Sequence, residues 1–254
     1  MPALYDTFVI VEPMQHYLEY GSLVLHEIIQ ANKRAGQTIL ELIGDTANPE
    51  RIKTAIQTLN PIVFCGVGHG NVDIYTVECT ETLITASSSE LTLFKDKVVH
   101  LNSCLTAQQL GPALIDAGAV AYVGSKQEFW FYIGDAAGTT RAVRSPFLAE
   151  YQFTASLLQG KTTGEARQAQ LQRYEEEINY WLQGDGKNHP DASELLRILQ
   201  INEDISTFLG ESDIRPSQKL AVAPTLVLPL TFGASFLILG FLAYKSVAVP
   251  YPKS

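Results

Sequence analysis

Ile62-Val63-Phe64-Cys65-Gly66-Val67-Gly68-His69-Gly70 joins an unbroken apolar run to a histidine set between glycines. A short run of β-branched and aromatic residues without charge reads as a strand buried on both faces, and His69 then lies just beyond its tip. The same grammar recurs on either side. Thr7-Phe8-Val9-Ile10-Val11 and Thr38-Ile39-Leu40-Glu41-Leu42-Ile43 precede it, and Lys97-Val98-Val99-His100-Leu101-Asn102 and Ala119-Val120-Ala121-Tyr122-Val123 follow. Helical spacing fills the gaps: His16 to Ala35 ends at Gly36, where a C-cap belongs, and Asn48-Pro49-Glu50 starts a helix through Leu59. Ala107 to Ala117 supplies another before Gly118. Strands separated by helices at this rhythm predict an α/β fold, a mainly parallel sheet flanked by helices on both faces, because parallel neighbours need crossover connections.

Other segments depart from that rhythm. Val72 to Val77 and Thr82 to Thr85 suggest a β-hairpin or a pair of edge strands, and helical character returns over Ser89 to Phe94. Residues 145–210 read as mostly helical, broken at Gly160 and at 184–190, with no internal repeat. Within them, Glu175-Glu176-Glu177 reads as a solvated helix face.

Composition narrows the function classes. The 254 residues are 46% hydrophobic and 18% charged, enough to bury a core. A net charge of -9 gives no broad basic face for phosphates, so nucleic acid is not expected as a partner. Three cysteines, at 65, 79 and 104, are too few and too irregular for a disulfide framework. No basic n-region with a long apolar stretch begins the sequence, so no cleavable secretion signal is visible and the domain over 1–215 is expected in the cytoplasm. Leu220 to Tyr244 is a run of 25 residues without charge, flanked by Arg215, Lys219 and Lys245. That length predicts a C-terminal transmembrane helix over 220–244, a tail anchor in a lipid bilayer, although Pro229 also suits a helix or strand pair packed on the domain.

In an open α/β sheet, ligands bind outside the carboxyl ends of the strands. His69 and Cys104 both lie there, the latter just after Asn102-Ser103. Tips of neighbouring strands are about 5–10 Å apart, close enough for an imidazole and a thiol to share one site. A thiolate can attack a peptide carbonyl while imidazole manages the proton and protonates the leaving amine. Gly70 lets a backbone N–H approach the substrate oxygen, giving an oxyanion hole with the N–H of Cys104. The series Gly66-x-Gly68-x-Gly70 also suits dinucleotide binding, but a strand-like segment follows it and no helix N-terminus is offered to a phosphate. A zinc site from Cys65, His69, Cys79 and Cys104 lacks paired short spacings. Cys65, inside an apolar strand, reads as core, as do Cys79 and mid-strand His100.

Phe64 to Gly70, Leu101-Asn102-Ser103-Cys104, and Gly118-Ala119-Val120-Ala121-Tyr122-Val123-Gly124-Ser125 with Trp130 downstream together resemble the core of the gingipain-like cysteine peptidases of clan CD, over roughly residues 5–165. The resemblance implies a caspase-hemoglobinase-like domain with His69 and Cys104 as the catalytic dyad. It further implies hydrolysis of peptide or protein substrates through a thioester, with no metal and no organic cofactor. It implies, too, that Trp130, with Glu128 beside it, forms part of the wall receiving the residue before the scissile bond. Asp45, at the tip of the second strand, could reach the same crevice as a substrate-binding group, though its place before Asn48-Pro49 also suits a turn. A non-catalytic relative binding a peptide in that crevice, or a membrane-tethered scaffold recruiting partners through 145–210, are the other readings.

Overall fold

Alternate residues of the central strands are apolar on both sides, so the strands can be stabilised only in the middle of a layered molecule. The computed structural model describes residues 6–15, 17–78, 81–134 and 140–216 and builds such a sandwich. Cys79, His16 and the charge-free run 220–244 lie outside the described residues. Among the described residues no helix is long and apolar enough to cross a membrane.

The chain runs β1 (Thr7–Glu12), α1 (Leu18–Asn32), β2 (Thr38–Ile43), α2 (Pro49–Leu59), β3 (Val63–Val67), β4 (His69–Asn71), β5 (Ile74–Glu78), β6 (Glu81–Thr85), β7 (Val98–Asn102), α3 (Leu110–Asp116), β8 (Ala121–Ser125), α4 (Arg141–Leu158), α5 (Thr163–Leu182), α6 (Ala192–Ile205) and β9 (Ser206–Gly210). Six strands form the main sheet in the order β2-β1-β3-β7-β8-β9. All its pairings are parallel except β8 with β9. Val9, Val11, Phe64, Val99, Leu101 and Tyr122 face a core shared with α2 and α3. Phe8, Ile10, Val63, Cys65, Val67, Val98 and Val123 face the opposite core, closed by α1 and α4. A smaller core of Tyr174, Trp181, Leu195 and Leu199 joins α4, α5 and α6.

Local chemistry sets the element ends. The Asn48 side chain accepts from the Arg51 N–H at 3.1 Å with Pro49 in the first turn of α2, as the sequence predicts. Thr162 and Glu165 form a reciprocal capping box at the start of α5.

Two readings of the sequence need correction, at 206–210 and at Glu177. Residues 206–210 are not helical: Ser206-Thr207-Phe208-Leu209 suits a strand and finds a free edge on β8, pairing antiparallel from Ser125↔Ser206 to Ala121↔Gly210. The helical character expected over 89–94 takes the form of a 3₁₀ helix. His69, just beyond β3, opens β4, the first strand of a small antiparallel sheet, β4-β5-β6. Glu177 is buried, unlike the exposed Glu175 and Glu176, and accepts from Arg141 at 3.0 and 3.1 Å and from Ser145 Oγ at 2.7 Å.

A polar network crosses the α1/α4 core. His100 Nε2 lies 3.0 Å from Glu150 Oε1, and His100 Nδ1 lies 2.7 Å from Thr154 Oγ1. Thr154 donates to Cys65 Sγ at 3.4 Å, while Tyr174 and Gln170 donate to Glu150 Oε2 at 2.8 and 3.0 Å.

Candidate active site

The reversal of strand order falls between β1 and β3, since β2 lies on one side of β1 and all later strands of the main sheet on the other. Side chains at the carboxyl ends of β1, β3, β7 and β8 therefore surround one crevice. β3 and β7 are direct neighbours, with Val67 opposite Asn102. Their continuations bring His69 and Cys104 to a single cavity of about 240 Å³, which Asn102, Phe129, Phe131 and Phe147 also line. Both reactive side chains are half-buried.

The three glycines before and after His69 are demanded by space. A Cβ on Gly68 would sit 2.6 Å from Tyr75 Cε2, and Tyr75 lies across β3 with its hydroxyl donating to the Val67 carbonyl at 2.7 Å. A Cβ on Gly70 would fall 2.5 Å from the Cys104 carbonyl oxygen, 2.7 Å from Thr106 Cγ2 and 3.1 Å from Ser103 Cβ. The His69-Gly70 and Ser103-Cys104 segments are thus in close backbone contact, as an oxyanion hole built from both requires.

The loop carrying Cys104 is pinned on every side. The Gly68 N–H donates to the Asn102 carbonyl at 3.1 Å, the Leu105 N–H to the Gln127 carbonyl at 2.9 Å and the Ala107 N–H to the Ser125 carbonyl at 3.0 Å. Ser103 Oγ lies 3.0 Å from Thr106 Oγ1, which accepts from the Tyr122 hydroxyl at 2.8 Å. Leu105 is held in the left-handed region at φ 64°, a conformation that costs a non-glycine residue about 1–2 kcal/mol and turns the chain sharply after Cys104. Burial pushes the Cys104 thiol up, and the negative charge of Glu128 adds to this, against a lowering hydrogen bond from the Phe129 backbone. At neutral pH the sulfur therefore rests as the protonated thiol.

The expected substrate-binding residues divide. Glu128 is exposed, is not among the residues lining the cavity, and acts on Cys104 through its charge. Trp130 is not among the residues lining the cavity: it is 42% exposed, its ring centroid lies 5.1 Å from the Arg197 guanidinium, and Asn202 brackets its backbone N–H and carbonyl. Its neighbours Phe129 and Phe131 face the cavity instead. Asp45 sits in the 3₁₀ turn 44–46 and borders a separate depression with Glu50, Glu78 and Glu81. Asn102 went unassigned in the sequence. Its Nδ2 is buried with no hydrogen-bond partner among the described residues, on a residue lining the cavity, and its only sequence signal is a polar residue at a strand tip two positions before Cys104.

Cys65, His100 and Glu150 have the order of a thiol-imidazole-carboxylate triad, with Cys65 Sγ 3.7 Å from His100 Nδ1. Cys65 and His100 are wholly buried, so no substrate reaches them. Compared with models of known protein families and with curated proteins, the chain matches none.

Proposed function

We propose that the chain is a cysteine peptidase with a caspase-hemoglobinase-like fold, in which His69 and Cys104 hydrolyse peptide bonds. One observation carries this reading: an imidazole and a thiol from the tips of adjacent parallel strands line the same small apolar cavity. His69 accepts the thiol proton as the sulfur attacks the scissile carbonyl, which suits a thiol whose resting state is neutral. The carbonyl oxygen takes up negative charge facing the backbone N–H groups of Gly70 and Cys104. His69 then protonates the departing amine, and water activated by the same imidazole cleaves the thioester to acid and free thiol.

Phe129, Phe131, Phe147 and Leu18 supply the cavity walls, and none of its described lining residues is Asp, Glu, Lys or Arg. Such walls favour an uncharged, apolar side chain before the scissile bond, with Asn102 Nδ2 available to a carbonyl of the same residue. A basic preference through Glu128 or Asp45 is not supported by their positions.

An electrophilic peptide probe carrying an apolar residue at that position is expected to label the protein once, on Cys104, as read by peptide mass spectrometry. Cys65→Ala keeps the label and Cys104→Ala loses it. A probe that never labels selectively would identify a non-catalytic protein that binds peptides in this cavity.

The charge-free run 220–244 serves in this proposal as a membrane anchor for the catalytic domain, because 25 residues without charge are long enough to span a bilayer. Alkaline carbonate extraction should leave the full-length chain in the membrane pellet. Recovery wholly in the soluble fraction would assign the segment to ordinary packing.

A further inference from the structure

The geometry points to a divalent transition-metal site, for zinc first of all, formed by Glu12, His26 and Glu41 away from the cavity of His69 and Cys104. The three residues come from three elements. Glu12 ends β1, Glu41 lies on the neighbouring strand β2, and His26 reaches down from α1. His26 Nδ1 stands 2.7 Å from Glu41 Oε2 and 3.6 Å from Glu12 Oε2, and one donor atom from each residue falls within 4.8 Å of the others. Atoms about 2.1 Å from a zinc ion at the corners of a tetrahedron lie roughly 3.4 Å apart, so the donors need shift by under about 1 Å to hold it.

A second observation separates this cluster from an ordinary patch of surface acids. Glu12 is 1% exposed, and neither of its carboxyl oxygens has a hydrogen-bond partner among the described residues. Buried carboxyl oxygens are almost always satisfied, and these two face a neighbouring carboxylate and a single imidazole. Among the described residues, the ion-pair contacts of Glu12 and Glu41 both go to that same His26. Two carboxylates against one imidazole leave the cluster short of positive charge, which a divalent cation supplies.

The donor set selects the metal class. An imidazole nitrogen with two carboxylates suits zinc, manganese or cobalt better than magnesium or calcium, which prefer all-oxygen shells. Gln30 Nε2 donates to Glu41 Oε1 at 2.7 Å and fixes that carboxylate's orientation, as outer partners of metal ligands do. His26 is one-third exposed, so the ion has a path from solvent and a fourth position open to water. Bound there, it would tie α1 to β1 and to the edge strand β2.

The test uses full-length protein in mild detergent carrying Cys104→Ala, which removes the thiol of the His69 cavity as a competing ligand. Added Zn²⁺ alone should be retained at one equivalent after desalting and raise the melting temperature, and Co²⁺ in its place should give the visible absorption of a four-coordinate ion. His26→Gln, Glu41→Gln and Glu12→Gln should each weaken zinc binding at least about tenfold. Glu12→Gln keeps the shape of the buried side chain, so it reads the site even if another variant fails to fold. No retained zinc, or equal zinc affinity in parent and Glu12→Gln protein, would overturn the site.

Discussion

Cys104→Ala and His69→Ala proteins are expected to fold as the parent does and to lose peptide hydrolysis by about 10³-fold or more, measured as kcat/KM on a fluorogenic peptide with an apolar residue before the scissile bond. Both side chains are half-buried at strand tips, outside the fully buried core, so their removal leaves the sheet and its two packed faces in place. Gly70→Ala is the sharper probe of geometry. Its new methyl group would meet the Cys104 carbonyl oxygen at 2.5 Å and Thr106 Cγ2 at 2.7 Å, and Thr106 is braced by Ser103 and Tyr122. The backbone must part where the proposed oxyanion donors Gly70 and Cys104 meet, and loss of one such donor costs about 10²–10³ in kcat. The expected result is a large fall in kcat with KM little changed and an unaltered near-ultraviolet circular dichroism spectrum. Wild-type turnover by Cys104→Ala would assign the nucleophile elsewhere.

The parts of this arrangement that the sequence makes legible are those set by local pattern. The central strands and the cap at Asn48 follow from apolar runs and side-chain chemistry within a few residues. The parallel sheet follows from their alternation with helices, and His69 and Cys104 follow from their places just past two of those strands. What stayed hidden depends on partners far away in the chain. β9 carries no break after α6 and is a strand because the edge of β8, some 80 residues earlier, accepts it. Glu177 looks solvated among three glutamates until Arg141 and Ser145 of α4 are brought against it. The cavity wall is the same kind of case. In Glu128-Phe129-Trp130-Phe131 the largest ring draws attention, yet Asn202 of α6 holds the Trp130 backbone so that Phe129 and Phe131 face inward.

Glu150→Ala or His100→Ala is expected to destabilise the fold by about 3–5 kcal/mol in urea unfolding, the largest stability loss of any single truncation proposed for this chain. The pair lies 3.0 Å apart with both side chains essentially unexposed, so removing either leaves the other charge without compensation. The Tyr174 and Gln170 donors to Glu150 would be orphaned as well. Burial pulls the His100 imidazolium down, but Cys65 and Glu150 outweigh it and the net shift is upward. Burial likewise works against the Glu150 carboxylate, and His100 and Tyr174 outweigh it, leaving the group below its ordinary value. A histidine raised in the folded state contributes stability that is fully present below its unfolded value of 6.5 and is lost as pH rises through the folded one. A carboxylate lowered in the folded state contributes above its unfolded value of 4.5 and fails as pH drops through the folded one. The pair is therefore strongest in mildly acidic solution. Glu12 adds to the alkaline loss in metal-free protein, because burial, Glu41 and Cys65 push its carboxyl up to about 9 and the unfolded chain gives up that proton far earlier. Unfolding free energy should fall between pH 6 and pH 9 in the parent, and the slope should shrink in Glu150→Gln, which keeps the hydrogen-bonding shape while removing the charge. A Glu150→Ala protein as stable as the parent at pH 6 would mean that the buried pair contributes no net stability.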